Sequence, residues 1–95
     1  MINQPPMDSG LRIADGLRLQ WEKSQAEYVL LYPEGMIKLN NSAAEILKLC
    51  DGHHSVTTII AALKNKYTAC NVTDLTQDIY NFLTEVLQKG WITVI

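Results

Sequence analysis

Leu17, Leu19 and Trp21 alternate with Arg18, Gln20 and Glu22. That period of two predicts a half-buried strand with one apolar face. Lys23 to Ala26 form a polar hairpin loop, and Tyr28 to Tyr32 are then apolar at every position. A strand of that kind is a central one, covered on one side and shielded by large side chains on the other. In Tyr32-Pro33-Glu34-Gly35, proline takes the second turn position and glycine the fourth, the preferences of a type I turn. Met36 to Leu39 make a third, short strand. The simplest order is a meander, which leaves the third strand at an edge with one row of N–H and C=O groups unpaired.

From residue 40 the period changes to that of helices. Asn40, Asn41 and Ser42 stop the strand and offer N-caps, and Ser42 with Glu45 fits a capping box. Ala43, Ile46, Leu47 and Cys50 follow at helical spacing, and Asp51-Gly52 closes this first helix, with Gly52 placed for a left-handed C-terminal conformation. Ser55 caps a second helix whose stripe is Val56, Ile59, Ile60, Leu63 and Tyr67, with Lys64 and Lys66 in its last turn. Thr68 to Val72 connect it to a third helix, capped by Thr73 or by Asp74, which with Gln77 makes a second capping-box match. Leu75, Ile79, Phe82, Leu83, Val86 and Leu87 form its broad stripe, Gly90 ends it, and Trp91 to Ile95 leave room for a short C-terminal strand.

Residues 1–16, with Pro5-Pro6, Ser9-Gly10 and Asp15-Gly16, read as a flexible N-terminal tail, with Leu11 and Ile13 available to pin it to the body. Residues 17–95 form the domain. The expected fold class is α+β and winged helix-turn-helix-like: a three-stranded antiparallel meander, then three helices and a short terminal strand.

Composition narrows the function. Ninety-five residues with 47 % apolar and 19 % charged side chains make one globular domain. A net charge of −2 argues against a general nucleic-acid binder, which needs a basic face. No apolar run approaches the roughly 20 residues of a membrane span. The start, MINQPPMDSG, has no positive region or apolar signal segment, so a cytoplasmic location is expected.

Candidate chemistry is sparse. His53 and His54 are adjacent, so their side chains diverge, and no zinc-finger spacing surrounds them; they read as a solvated turn rather than a metal site. Cys50, on the apolar side of its helix, reads as core packing, and no third group orients a Cys–His nucleophile. Cys70 has no motif partner and is expected to be a free thiol. No glycine-rich loop cradles a phosphate. The pattern therefore implies no enzyme, no catalytic residue, no metal and no cofactor. The helix-turn-helix outline raises an alternative, a small winged-helix DNA-binding regulator. Its reading helix would carry Asp74, Asp78 and Glu85 against Lys89, three acids and one base, a net −2 that repels phosphate.

Peptide binding remains. An edge strand accepts an extended peptide as an added strand. Ordering each peptide residue costs roughly 1–2 kcal/mol, and a backbone hydrogen bond returns only about 0.5–1.5 kcal/mol. Apolar burial at about 25 cal/mol per Å² must supply the rest. The third helix, wider in its apolar stripe than a small core needs, is the candidate groove wall. An unpaired edge also leaves room for a second copy, a homodimer.

The ordered set Arg18-Leu19 before Trp21, Leu30-Leu31 followed by Pro33-Glu34, Leu39-Asn40, Ile46-Leu47 and Cys50-Asp51-Gly52, with Asp78 before an apolar run, resembles the pyrroloquinoline quinone biosynthesis protein D (PqqD) family over roughly residues 11 to 92. Glu22 stands where that family commonly has Asp, and Gln25 and Gly35 where basic residues are common. The resemblance implies a non-enzymatic peptide chaperone in pyrroloquinoline quinone (PQQ) biosynthesis, of the class that recognises leader peptides of ribosomally made, modified peptides. It would bind the precursor peptide PqqA and present it to the radical SAM enzyme PqqE. Carried over, the peptide-binding residues are Met36, Ile37, Lys38 and Leu39 on the strand and Leu75, Ile79, Tyr80, Leu83 and Leu87 on the helix. Proline at Ile37 is expected to cut affinity if the N–H of that residue faces the peptide.

Overall fold

Two antiparallel three-stranded sheets and three helices build the domain in the computed structural model, which describes residues 4–66 and 72–95. Residues 67–71 lie outside the described residues, and with them Tyr67 of the expected α2 stripe, Cys70 and all of the expected Thr68–Val72 connection but Val72, which belongs to the third helix. So do the side chains of 72–74, among them the Thr73 or Asp74 cap.

The meander forms as its alternation predicts. Strands β2 (Arg18–Glu22), β3 (Glu27–Tyr32) and β4 (Gly35–Lys38) lie in that order, and each neighbouring pair is antiparallel. Leu30 is fully buried on the face toward the helices, between Leu19 and Ile37. Val29 is 1 % exposed on the opposite face, flanked across the sheet by Gln20 and Lys38. Burial on both faces explains why residues 28–32 of β3 are apolar at every position.

The hairpin between β2 and β3 holds Ala26 at φ 50, a left-handed conformation that costs an L-residue roughly 1–2 kcal/mol. Ala26→Gly is therefore expected to stabilise the domain, the relief outweighing the extra freedom glycine gives the unfolded chain. Each kcal/mol raises the thermal midpoint by about 4–8 °C in a domain of this size, so thermal unfolding reads the effect.

Residues 10–13, assigned to the tail from sequence, form strand β1 (Gly10–Ile13) at the centre of the second sheet. Its neighbours are β5 (Asp51–Ser55) and β6 (Ile92–Val94), so the second sheet joins three distant parts of the chain. Leu11 is fully buried there. Further back, the Met7 carbonyl accepts hydrogen bonds from the Thr57 N–H and hydroxyl at 3.2 and 3.1 Å, and Pro5 is among the fully buried side chains.

Three local expectations are corrected. Helix α1 (Asn41–Lys48) is capped by Asn40, whose Oδ1 accepts from the Ala43 N–H at 2.7 Å, and not by Ser42. The Leu39 N–H still donates to the Tyr28 carbonyl, so extended backbone reaches residue 40 and the cap falls there. Nor does Gly52 end α1, whose C-cap is Leu49. Residues 51–55 pair with β1 instead of forming a solvated turn. Gly52, at φ +88, absorbs an irregularity in that pairing, where Leu11 faces His54 and Arg12 faces Asp51.

Helix α2 (Val56–Lys66) starts at the expected cap: Ser55 Oγ accepts from the Thr58 N–H at 3.2 Å, and Thr58 Oγ1 accepts from the Ser55 N–H at 2.7 Å. Glu45, freed from the capping role, accepts from Lys66 Nζ at 2.6 Å and lies 3.5 Å from Lys48. The Lys66 hydrogen bond leads the causes that hold the Glu45 carboxyl below its ordinary 4.5. A lowered folded-state value means stability present above the unfolded value and lost as pH falls through the folded one. Both partners are partly exposed, so the contribution is at most about 1 kcal/mol. Glu45→Gln is expected to flatten the acid side of the stability curve, read as urea midpoints from neutral to acidic pH.

Helix α3 (Val72–Gln88) ends as expected at Gly90. Gly90, at φ +80, donates to the Leu87 carbonyl at 3.1 Å, and Trp91 donates to the Val86 carbonyl at 2.9 Å. This paired closure needs a left-handed residue, and it fixes where Trp91 leaves the helix. The core lies between the helices and both sheets, built on Leu11, Leu30, Leu47, Ile59, Ile79, Leu83 and Ile92. Among the described residues no polar or charged residue is buried in it. Again among the described residues, no helix is long and apolar enough to cross a membrane.

Candidate functional site

Strand β4 stands at the edge of its sheet, as the meander reading expected. The Leu39–Tyr28 hydrogen bond sets its polarity. Antiparallel pairs alternate between exchanging both hydrogen bonds and exchanging none. Leu39 belongs to an exchanging pair with Tyr28, so Ile37, opposite Leu30, belongs to the next. The Ile37 N–H and C=O therefore point at β3, and those of Met36 and Lys38 point outward from the edge. Side chains follow the same parity. Ile37 shares the inner face with Leu30, whereas Met36 and Lys38 share the outer face with Leu31 and Val29.

A groove of about 190 Å³ runs between β4 and α3. Ile37 and Leu39 form its strand side, and Phe82, Val86 and Lys89 its helix side, with Trp91 at one end. Lys89 Nζ lies 3.6 Å from Glu85 Oε1 and 5.2 Å from the Trp91 ring centroid, so its cation is held against the groove by a carboxylate and an aromatic face.

The residues expected at this site divide. Ile37, Lys38 and Leu39 line the groove, although Leu39 is only 7 % exposed. Met36 is half exposed on the outer face. Ile79 and Leu83 lie in the core, at 2 % and 0 % exposure, and Leu75 packs against that core part-buried. Tyr80 and Leu87 also pack part-buried against the core, and the Tyr80 hydroxyl is 3.4 Å from Gln4 Oε1 in the N-terminal segment. At 100° per residue, Tyr80 and Leu87 stand about 140–180° around α3 from Phe82 and Lys89. One groove cannot use both flanks. Phe82, Glu85, Val86, Lys89 and Trp91 line the groove and were not among the residues expected from sequence. The signal was the i, i+4 pair Glu85–Lys89 beside Phe82, on the polar margin of the apolar stripe.

The chemistry present elsewhere is structural. Burial, with Asp51 adding to it, pushes the Cys50 thiol up to about 12, so it is a neutral thiol near pH 7. Its Sγ lies 3.6 Å from the Ile46 carbonyl oxygen. His54 Nδ1 is 2.9 Å from Asp51 Oδ1, which also accepts the His53 N–H, and these bonds hold the Asp51 carboxyl below its usual range. Among the described residues, no three His, Cys, Asp or Glu side chains gather as a metal ion requires.

An open strand edge flanked by an apolar helix face, on a winged-helix-like α+β scaffold, defines a binding domain of the recognition-element class. A solved structure shares that scaffold: the solution structure of the PqqD truncation of Methylobacterium extorquens PqqCD, described as a functional, stand-alone RiPP recognition element. It is 27 % identical, with a TM-score of 0.74 over 96 % of each chain. Residues 27–92 match the family model of coenzyme PQQ synthesis protein D, and the chain belongs to the PqqD family. The PqqA binding protein of Methylococcus capsulatus is 47 % identical over 90 % of this chain and 88 % of its own. The PqqA binding protein of Pseudomonas aeruginosa is 46 % identical over 96 % of this chain and 97 % of its own.

Proposed function

We propose that this protein binds the precursor peptide PqqA as an added strand along β4, with the peptide's inward side chains seated against Phe82 of α3. The observation that carries this reading is the coincidence of an outward-facing row of backbone groups at Met36 and Lys38 with an apolar groove on the same edge. Each element supplies what the other lacks. The edge provides hydrogen bonds that are near break-even alone, and the groove provides apolar burial. Family membership and relatives named as PqqA binding proteins support the identity of the peptide.

The protein acts as a chaperone and not as an enzyme, delivering PqqA to the radical SAM enzyme PqqE. Strand addition suits delivery, because a peptide held by one edge and one face keeps its other edge and face open to a second protein. A titration of the labelled domain with PqqA peptide tests the site. Amides of residues 36–39 and of the Phe82–Lys89 stretch are expected to shift, with β1 and β5 unmoved. Unchanged β4 amides at saturating peptide would refute it.

A further inference from the structure

The groove does not end at Trp91. A larger cleft of about 440 Å³ continues from it, between the β3–β4 turn, the loop before β2 and the C-terminal end of α3. Leu17, Tyr32 and Pro33 line its walls, and Ile37, Lys89 and Trp91 are shared with the smaller groove. We propose that this second cleft is a pocket for a large apolar or aromatic side chain of the same bound peptide, further along the added strand than the side chain beside Phe82. This rests on the peptide reading above and adds a rule of peptide selectivity to it.

Three observations carry the inference. The first is continuity: Ile37 lines both clefts from β4, so the two openings adjoin at that edge strand. The second is that the Trp91 wall is held from two sides. Its N–H donates to the Val86 carbonyl at 2.9 Å, and its carbonyl accepts from the Ala14 N–H at 2.9 Å. The Leu17 N–H in turn donates to the Ala14 carbonyl at 3.1 Å, which shapes the opposite wall. A pocket built on such a backbone exists before its ligand arrives, and little ordering cost is left to binding. The third is chemistry. Leucine, proline, isoleucine and two aromatic rings line the cleft, and Asp15 and Lys89 stand among its polar members. The apolar members, Leu17, Pro33, Ile37 and the two rings, are the majority of the side chains in that lining and fit an apolar or aromatic side chain.

Strand geometry then sets a spacing rule. Side chains of one strand face the same side every second residue, about 6.6–6.8 Å apart. The two apolar anchors of the peptide must therefore share parity, two or four residues apart. An odd spacing points one of them at solvent.

The test combines two readouts with the PqqA peptide as probe. Alanine replaces each large apolar residue of the peptide in turn, and affinity is measured for the wild-type domain and for Tyr32→Ala, with Tyr32→Leu as the gentler variant should the first fold poorly. One peptide position is expected to lose about tenfold in affinity on the wild-type domain. The same replacement should lose far less on the Tyr32 variant, because its pocket wall is already gone. In the same titration the Trp91 indole N–H is expected to shift and that of Trp21, which is half exposed and outside both clefts, to stay. A peptide that moves the β4 amides but leaves the Trp91 indole unmoved, with every alanine replacement costing the same on both domains, overturns the second pocket and leaves the binding site standing. A peptide that moves neither overturns both.

Discussion

Ile37→Pro is expected to destabilise the domain by about 2–4 kcal/mol, whereas Lys38→Pro, one residue on, should leave it folded and weaken PqqA binding roughly tenfold. The difference follows from parity along β4. The Ile37 N–H faces β3, where the Leu30 carbonyl receives it, and Leu30 is fully buried. Proline there deletes a sheet hydrogen bond and strands a buried acceptor. The Lys38 N–H faces outward, where proline is tolerated on an edge strand and the residue before it is already extended. The ion pair lost with the Lys38 side chain, 3.9 Å from Glu27, is exposed and worth little. Urea unfolding and peptide titration of both variants separate the two losses. If Lys38→Pro bound as tightly as the parent, the peptide would not be paired to this edge. The sequence alone suggested Ile37→Pro as the binding test; the Leu39–Tyr28 bond moves that test by one residue.

A second separation is expected on α3. Leu83 is fully buried among the core side chains, and Leu83→Ala should cost about 2–5 kcal/mol of stability. Phe82, its neighbour, is part-buried and lines the groove. Phe82→Ala should cost less stability and about tenfold in PqqA affinity, by removing apolar contact with the peptide. Denaturant midpoints and affinities measured on both variants check this. Equal affinity for Phe82→Ala and the parent would place the peptide elsewhere on the domain.

The contrast between Phe82 and Leu83 shows where sequence reasoning stops. The strands of the meander were legible because alternation at 17–22, continuous apolarity at 28–32 and the Pro-Gly turn all act locally. The edge position of β4 followed from the same segment. The stripe on α3 was legible as a stripe, but its width hid two faces. Ile79 and Leu83 turn toward the core, Phe82 and Lys89 turn toward β4, and Val86, 1 % exposed, lies at the boundary between them. Only the placement of the neighbouring elements divides them. Tyr80 carries an apolar ring at helical spacing, yet it stands against the N-terminal segment on the far flank.

The second sheet was less legible for a different reason. Asp51-Gly52-His53-His54-Ser55 has no apolar alternation and reads as a turn by composition. It becomes β5 because β1, some forty residues earlier, offers a partner (Gly10 lies opposite Ser55). Strands made by long-range pairing leave little mark on their own residues. The cap of α1 moved for a related reason. Asn40 and Ser42 are both competent caps, and the hydrogen bond from Leu39 to β3 decides between them.

The central claim is strand addition at β4, and hydrogen exchange of its amides tests it most directly. Met36 and Lys38 N–H groups face outward, so saturating PqqA should slow their exchange strongly. Ile37, already bonded to β3, should change little. That alternating pattern of protection is the result the account predicts. Tight PqqA binding with exchange at Met36 and Lys38 unchanged would contradict it.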